Sequence, residues 1–359
     1  MASGQFNPKF TFTTQEIQSI QDVIIQDFYS KPALNTLFTV VQGIRAKKKI
    51  GIIGNMTEVG RPRAACDVTE TTVTFPTIQK EWNPCSWGDL IPFCVADLED
   101  QFWVWFMKDG VQRQDATQGD FANFVTEQIM NGMTESLWKV MFFGDTDAAT
   151  VDASPAGDLT SGTDETLFTC HDGVWKQVFA IVAADADRRV NISRNAEATY
   201  ALQKFTSADT TNKVATGIFR DLIQNSHQKA RAMRNRVILC TRSLADQYTN
   251  ELEAATGVLP AWTMIQDGIN SFKRGGETII ALDYWDVIIR TYFDNGTKYL
   301  YPHRALMINK ENMQFGCESE SVLSEFDLYY SRDKKKNYAE FLAKIDTKII
   351  QDILVQAAY

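Results

Sequence analysis

Apolar residues recur at helical spacing most clearly between residues 118 and 143. Spacings of three and four residues place side chains on one face of an α-helix, so this segment predicts a single long amphipathic helix. Asp120 suits the start of the helix, and Gly144 suits its end. Gly132 in the middle costs about 1 kcal/mol relative to Ala. The predicted apolar face consists of Phe121, Phe124, Val125, Ile129, Met133, Leu137, Val140 and Met141.

Upstream of this helix the pattern changes to the two-residue alternation that is typical of strands. Residues 67–78, DVTETTVTFPTI, alternate and are rich in Thr and Val, and a second apolar run follows from Leu90. Together they predict a long two-stranded hairpin over 60–106, with its turn near 80–87. A hairpin of this length is marginally stable unless another surface covers it. The stretch EWNPCSWGDLIPFC, residues 81–94, would form its tip and descending limb.

The chain before residue 60 is predicted to begin with a polar, extended arm over 1–12. Two helical patterns follow, the first at 13–28 and the second at 34–41. The segment KKKIGIIGNM then reads as a strand that enters a loop. Its glycines do not have the G-x-G-x-x-G spacing of a dinucleotide site, and no helical pattern follows them.

Helices and strands are mixed after the long helix, which predicts an α+β fold. Residues 144–165 form an acidic, Gly-rich segment, for which a solvated loop is favoured because the ligand order of a calcium loop is missing. A helix is predicted near 166–185, and a helix–strand–helix pattern runs from 214, with its strand at 236–240. Residues 277–293 are predicted as strand, and Asn295 with Gly296 as a tight turn.

The charge balance argues against general nucleic-acid binding. The chain has 359 residues, 44% of them hydrophobic, and a formal net charge of −9. An acidic protein gains nothing from counterion release along the phosphate backbone, so DNA contact would need a local basic face. The one candidate is IRAKKKI, with Arg45, Lys47, Lys48 and Lys49, for which a solvated helix end is the simpler interpretation.

Cysteine usage predicts neither a metal site nor a disulfide framework. The six cysteines contain no C-x-x-C, and the three histidines lie far apart in sequence. With no signal peptide and no apolar run of membrane-spanning length, a reducing compartment and free thiols are expected. If Cys85 and Cys94 lie on one limb of the hairpin, they are up to about 30 Å apart, too far for one bond.

Enzyme motifs are missing from the sequence. It contains no G-x-S-x-G, P-loop, H-E-x-x-H or kinase set. A metal- or thiol-dependent enzyme using Cys85, Cys94 and His171 is the weakest hypothesis, because the ligand spacing is wrong. No catalytic residue, metal or cofactor is therefore predicted. The arm and the uncovered hairpin need partners to bury them, which favours an assembly.

The order of these elements resembles that of the major capsid proteins of tailed double-stranded-DNA phages, whose fold is shared with encapsulin compartments. The local matches are the helix running into FFGDTDAATVDASPAGD, the segment IFRDLIQNSHQKARAMRNRVILCTRSLADQYTNEL, the return strand YLYPHRALMINKENMQFGCES and the final FDLYYSRDKKKNYAEFLAKIDTKII. The resemblance covers nearly the whole chain. It implies an N-terminal arm with first helices (1–58), an extended loop (59–106), a peripheral domain containing the spine helix (107–204), an axial domain (205–305) and a return to the peripheral domain (306–359).

The resemblance also implies a function, a set of partners and a location. The chain would self-assemble through pentamers and hexamers into an icosahedral shell around packaged phage DNA, and would be made in the cytoplasm of a bacterial host and found in the virion. Separate scaffolding, portal and decoration proteins are expected, with weak DNA contact through Arg45, Lys47, Lys48 and Lys49. The alternative is an encapsulin-like compartment that holds a cargo enzyme.

Contacts between subunits are predicted at Trp82, Trp87 and Phe93, because aromatic side chains concentrate binding energy at interfaces. Two departures from the family pattern limit the comparison. Only about a dozen residues precede the first helix, so a scaffold segment within the chain is not expected. The stretch from Ala339 contains no Asn, so a crosslink from Lys80 is not expected.

Overall fold

The computed structural model describes residues 34–53, 77–93, 120–148, 164–233, 235–257, 262–264, 270–319 and 327–359. Side chains are described over the same ranges except at 34–35, 93 and 120–126. Two mixed sheets, a two-stranded ribbon and nine helices are defined within these residues. The predicted N-terminal arm at 1–12, the helix at 13–28 and most of the acidic loop at 144–165 lie outside them.

The first sheet is organised around one long strand, β13. Strands β11 and β12 pair antiparallel with successive halves of β13, and β4 pairs with it over nine residues, Cys85 to Phe93. Residues Asn337 and Ile345 of β13 pair on both sides, which places β4 on the edge opposite to β11 and β12. The strands are β1 (Thr39–Val41), β4 (Cys85–Phe93), β11 (Met313–Cys317), β12 (Asp327–Ser331) and β13 (Lys336–Ile349).

The second sheet has seven strands in the order β5-β14-β10-β6-β9-β8-β7. Its centre is a parallel pair, β6 and β9. The chain between these two strands contains the helix Arg242–Thr256 and the short strands β7 and β8. The strands are β5 (Arg189–Val190), β6 (Arg236–Thr241), β7 (Thr263–Met264), β8 (Asn270–Arg274), β9 (Glu277–Leu282), β10 (Ala305–Asn309) and β14 (Gln356–Ala358).

Helices pack against both sheets. They are α1 (Leu34–Leu37), α2 (Asp120–Phe143), α3 (Val174–Ala184), α4 (Tyr200–Gln203), α5 (Ser207–Asn212), α6 (Val214–Gln224), α7 (Gln228–Ala232), α8 (Arg242–Thr256) and α9 (Asp283–Tyr292). Short 3-10 turns occur at Glu165–Leu167, Ala186–Arg188, Ser193–Ala196, Lys310–Asn312 and Asp352–Leu354.

The predicted long helix is confirmed as α2, which begins at Asp120 and ends at Phe143. Its predicted face is buried at each position whose side chain is described, namely Ile129, Met133, Leu137, Val140 and Met141. The last turn enters an aromatic cluster, where the ring of Phe142 lies 5.1 Å from that of Trp285 on α9. Burial of this face, at about 25 cal/mol per Å² of apolar surface, fixes α2 on the sheets.

Two glycines join α2 to α3 through direct backbone contact. The Gly173 N–H donates to the Gly144 carbonyl over 2.8 Å, and the Gly144 N–H donates to Val140. A Cβ at Gly144 would lie 2.3 Å from the His171 carbonyl oxygen, and one at Gly173 would lie 2.7 Å from the Gly144 nitrogen. Neither position can hold a side chain without moving the backbone, so the α2–α3 angle depends on both glycines.

The predicted hairpin over 60–106 is wrong in its pairing. The limb β3 (Thr77–Trp82) pairs antiparallel with β2 (Lys48–Ile53), and β4 pairs with β13 instead of with β3. The ribbon of β2 and β3 is called the arm ribbon here. The predicted turn at 80–87 is mostly strand, since β3 extends to Trp82 and β4 begins at Cys85, and most of the alternating segment 67–78 lies outside the described residues. The sequence also could not identify the partners of these strands, since pairing is decided by surfaces that lie far apart in sequence.

The predicted strand over 277–293 is only half correct. The strand β9 ends at Leu282, and the segment from Asp283 continues as helix α9. Its β-branched and aromatic residues favoured a strand. Tyr284, Trp285, Ile288 and Ile289 are nevertheless buried at helical spacing, and Asp283 and Asp286 lie in the first turn, where acidic side chains stabilise a helix.

The helix–strand–helix pattern after residue 214 is confirmed as α6, β6 and α8. The two helices are coupled by a buried carboxylate. Glu251 on α8 accepts hydrogen bonds from the backbone N–H groups of Ala215 and Thr216 at the start of α6, both over 2.8 Å. These N–H groups have no partner within their own helix, so Glu251 performs the role of a capping residue from a distance.

Candidate functional site at the base of the arm ribbon

The indole of Trp82 anchors the arm ribbon in the body of the chain. Its side chain is only 2% exposed, although it ends a strand whose other residues are mostly exposed. A Cβ built on Gly316 of β11 would lie 2.7 Å from the Trp82 ring, so the ring lies directly on the Gly316 backbone, with Ile44 beside it. The glycine provides the space that the indole fills.

A second anchor is electrostatic. The backbone N–H of Asn83 donates to Asp346 on β13 over 2.7 Å, and Lys348 lies 3.5 Å from the same carboxylate. Burial raises the pKa of Asp346, while these two partners favour its charged form. Lys80 forms a further ion pair with Asp352 over 2.8 Å. The connection between β3 and β4 is therefore fixed to the first sheet, and we call residues 80–87 the arm base.

Trp87, the third residue of β4, packs its ring against β13. Its ring centroid lies 5.0 Å from that of Phe341, and its side chain is 8% exposed. Next to it, a Cβ on Gly88 would lie 2.3 Å from the Phe341 carbonyl oxygen. The two strands therefore approach closely at this point.

The predicted subunit contacts at Trp82 and Trp87 need correction, because both indoles are covered by strands of their own chain. Their area is not available to a neighbouring subunit in this conformation. The side chain of Phe93 lies outside the described residues, and its role stays a prediction. Exposed apolar side chains occur close by, with Ile53 71%, Leu342 64% and Leu90 46% exposed.

A disulfide joins Cys85 to Cys170, with their Cα atoms 5.5 Å apart. The expectation of free thiols is therefore wrong for these two residues. Cys85 is the first residue of β4, and Cys170 lies just before α3, so 85 positions separate them in sequence. The spacing of Cys85 and Cys94 along one limb of the predicted hairpin could not reveal this distant partner. Cys94 lies outside the described residues.

His171, next to the disulfide, is buried without charge. Its Nε2 lies 2.9 Å from the Thr347 hydroxyl, and burial lowers its pKa to about 3. No group of three His, Cys, Asp or Glu side chains that could hold a metal ion occurs among the described residues. The combination of His171 with Cys85 thus offers neither a ligand set nor a free thiol nucleophile.

The predicted basic patch lies at the start of the arm ribbon. Lys47, Lys48 and Lys49 are exposed, and Lys48 stands opposite Trp82 in the β2–β3 register. Arg45 pairs with Glu318 over 2.8 Å, which neutralises part of its charge. The patch is thus a surface of a strand and its approach, and not the end of a helix. DNA contact there stays a prediction.

A buried polar network around His303 had no signal in the sequence. The Nε2–H of His303 donates to the Gln203 carbonyl over 2.8 Å, so its Nδ1 accepts from the Ser243 hydroxyl, also over 2.8 Å. Burial lowers the pKa of His303 to about 4. Asp286 accepts from the Arg242 N–H over 2.6 Å at the start of α8, and burial raises its pKa to about 6. The Asp286 carboxylate accepts from the start of α8, and the Nε2–H of His303 is donated to the Gln203 carbonyl. Ser243, His303 and Asp286 therefore support the fold and do not form a nucleophilic triad.

Arg304 is a second buried group that sequence reasoning missed. Its side chain is fully buried, and it donates to the carbonyls of Tyr301 and Leu300 over 2.9 and 3.1 Å. Burial lowers its pKa to about 9. Aromatic faces replace a counterion, with ring centroids 5.1 to 5.6 Å from the guanidinium carbon. These rings belong to Phe143, Trp175, Phe179 and Phe293.

Comparison with known proteins identifies the fold. No family model and no curated protein matches the sequence. Among solved structures, the capsid of cyanophage P-SCSP1u has a TM-score of 0.54 at 10% identity, covering 95% of this chain and 91% of that one. A structure from Mycobacterium phage Ogopogo has a TM-score of 0.53 at 9% identity, covering 97% and 99%.

These likenesses define a class at the level of architecture. Both extend over nearly the whole length of each chain, although few residues are identical. The protein therefore has the α+β fold of tailed-phage major capsid proteins, as the order of elements in the sequence implied. Within the described residues, none of the helices has the length and apolarity needed to cross a bilayer.

Proposed function

We propose that this chain is the structural subunit of a phage capsid and self-assembles into an icosahedral shell that encloses packaged genomic DNA. The observation that carries the proposal is the full-length likeness to a cyanophage capsid, with 95% of this chain covered. A likeness over only part of the chain would be compatible with one shared domain, whereas the likeness to the cyanophage capsid covers 95% of the chain and includes both sheets. The role is structural, and the buried polar groups described above serve packing and capping.

The single chain offers two positions at which subunit contacts can be tested. Ile53 on the arm ribbon and Leu342 on β13 each expose more than half of their side chains. Because single exposed apolar residues also occur on monomeric proteins, the proposal rests on the fold, and these two positions serve to test it. Pentamers and hexamers would bring the axial domains, 205–305, together. The arm ribbon, which lacks the pairing with β13 that holds residues 85–93, would reach a neighbour. An obligate interface of this kind buries roughly 2,000 Å² or more.

Electron microscopy of the purified full-length chain, with sedimentation at several concentrations, tests the proposal. Shells, tubes or rings of five or six copies are the expected result. A monodisperse monomer at high concentration, both alone and with the phage's own scaffolding protein, would overturn it. Separate scaffolding, portal and decoration proteins remain part of the proposal, as does a virion location after synthesis in the bacterial cytoplasm.

The DNA contact has its own test. Lys47, Lys48 and Lys49 have no ion-pair partner among the described residues, so they present three charges to any polyanion. Replacing all three with Gln should reduce the amount of DNA retained in shells. The slope of the logarithm of the DNA-binding constant against the logarithm of the salt concentration should become shallower by about 3. The matched control is Lys334→Gln with Lys335→Gln and Lys336→Gln in the β12–β13 turn. Normal packaging by the first variant would remove the contact from the proposal.

The encapsulin-like alternative shares the fold and differs in contents. No observation on the described residues favours it, and none marks a cargo groove. Copurification of shells with DNA supports the capsid role, whereas copurification with a stoichiometric enzyme would replace it with the compartment role.

A further inference from the structure

The disulfide between Cys85 and Cys170 connects two segments that are each already fixed to β13. On one side, β4 follows β13 in continuous register from Cys85 to Phe93. On the other side, Gln177 donates to the Thr347 carbonyl over 2.7 Å and accepts from the Ile349 N–H over 2.9 Å. His171 adds its contact with the Thr347 hydroxyl. The covalent bond thus closes a loop that noncovalent contacts have already brought together.

The fold therefore does not need the bond to place its strands. Contacts that do not involve the sulfurs, namely Trp82 on Gly316 and the Asn83 N–H donated to Asp346, also hold the arm base in its closed position. What the bond adds is a restraint on opening. β4 is an edge strand, and within the described part of the chain no strand other than β13 pairs with it. Cys85, the first residue of β4, is the residue that the disulfide holds.

Of the cysteines in the described residues, only this pair is accessible to exchange. Cys85 and Cys170 are partly exposed, whereas Cys240 and Cys317 are fully buried. Burial also raises the pKa of the Cys240 thiol, which suppresses the reactive thiolate. Among the four described cysteines, thiol–disulfide exchange is therefore directed to a single pair.

We propose that Cys85 and Cys170 form a reversible redox lock on the arm base. With both thiols reduced, β4 and the arm ribbon can open from the body, and with the disulfide formed they are held closed. A small-molecule disulfide such as oxidised glutathione supplies the oxidising equivalents. One cysteine thiolate attacks the glutathione disulfide, forming a mixed disulfide and releasing one glutathione thiolate.

The second cysteine thiolate then attacks the protein sulfur of that mixed disulfide, forming the Cys85–Cys170 bond and releasing the second glutathione. Two electrons pass from the two cysteines to glutathione, and the two protons given up by the cysteine thiols are taken up by the two glutathione thiolates. In a capsid, and here the inference rests on the proposed function, a chain assembled in reduced form would stiffen once the particle meets an oxidising medium.

Hydrogen exchange on the full-length chain tests the lock directly. The protein is equilibrated in reduced or oxidised glutathione, mapped for disulfides by non-reducing peptide analysis, and then exchanged. Oxidation should slow exchange at residues 77–90 on the order of tenfold and leave β6 unchanged, because β6 lies in the other sheet. Equal exchange in the two states, or pairing of Cys85 with any other cysteine, would overturn the proposal.

The double variant Cys85→Ser with Cys170→Ser provides the control, and its exchange should not respond to glutathione. If this variant is poorly folded, reduced wild-type protein gives the same comparison without a substitution. Exchange is measured on fractions of equal oligomeric state, and shells are scored separately by microscopy. A redox response without shells would preserve the lock and overturn the capsid role. Shells without a redox response would preserve the capsid role and overturn the lock.

Discussion

The backbone contact between Gly144 and Gly173 leaves no room for a side chain, and it defines a residue-scale prediction. Gly144→Ala should lower the free energy of unfolding by about 3 kcal/mol, because its Cβ would lie 2.3 Å from the His171 carbonyl oxygen. Urea denaturation measures the change. Gly132→Ala in α2 is the matched control, since nothing lies within 4 Å of its Cβ, and it should raise stability by about 1 kcal/mol. A neutral Gly144→Ala would show that the two backbones can separate.

The buried histidines predict how stability depends on pH. Burial lowers the pKa of His171 to about 3 and that of His303 to about 4, both below the ordinary 6.5. Between these values the unfolded chain binds more protons than the folded one, so stability is full above pH 6.5 and is lost as pH falls. Asp286, with its pKa raised to about 6, acts in the opposite direction between pH 3.8 and 6.

Two histidines outweigh one aspartate, so lowering the pH from 7 to 5 should reduce the free energy of unfolding by about 2 kcal/mol. Denaturation at both pH values measures this, and His171→Asn should show a weaker dependence than the parent. A stability that stays flat from pH 7 to 5 in the parent would mean that neither histidine is buried in neutral form.

At the scale of single residues, sequence reasoning found the apolar face of α2 and missed the role of Trp82. A helical face repeats every three to four residues, so the pattern itself reports burial. Trp82 is buried because Gly316, more than 200 positions away, leaves space for its ring. Tryptophan is typical both of cores and of interfaces, and the difference depends on a distant partner that no local pattern contains.

At the scale of elements, the capping of α6 by Glu251 gives a prediction with a matched control. Glu251→Gln replaces one carboxylate oxygen by an amide nitrogen, which cannot accept a hydrogen bond. The N–H of Ala215 or Thr216 is then left without a partner. The expected loss is about 1.5 kcal/mol of unfolding free energy. Glu253→Gln, exposed two positions further on, should change stability by less than about 0.5 kcal/mol. Equal effects of the two variants would contradict a capping role.

Most elements could be predicted from the sequence, and their pairing could not. Strands were expected on both sides of residues 80–87, yet the strand at 77–82 pairs with β2 and the strand at 85–93 pairs with β13. Helix α9 shows the complementary error, because its β-branched composition concealed a helical spacing. In both cases the outcome was decided by packing against distant elements, which outweighs local propensity.

For the whole molecule, the exposed apolar residue Leu342 tests where copies meet. Leu342→Asp should abolish or strongly reduce assembly, because a charge would be placed in a buried contact. The chain should remain folded, since this side chain is 64% exposed in the single copy. Assembly is scored by sedimentation and microscopy, with folding checked by circular dichroism. Leu342→Met, which keeps an apolar side chain of similar volume at the same position, is the control and should assemble normally. Unimpaired assembly of Leu342→Asp would exclude this face of β13 from the subunit contacts.

The order of elements carried the fold assignment better than any single motif did. A long helix, a helix–strand–helix unit and closing strands appear in the structure in the predicted order. The candidate site was less accessible, because the disulfide, the Trp82 seat and the buried Arg304 all join residues that are distant in sequence. Such contacts follow from the completed fold and not from any local segment.

The long strand β13 has a mechanical consequence. It pairs with β4 on one edge and with β11 and β12 on the other, so tension that reaches the chain through the arm base would pass into this strand. Force directed along β4 would act in shear, stretching its hydrogen bonds to β13 together and not one after another. A container under internal pressure needs resistance of this kind, and a single fourteen-residue strand would distribute the force across the whole first sheet.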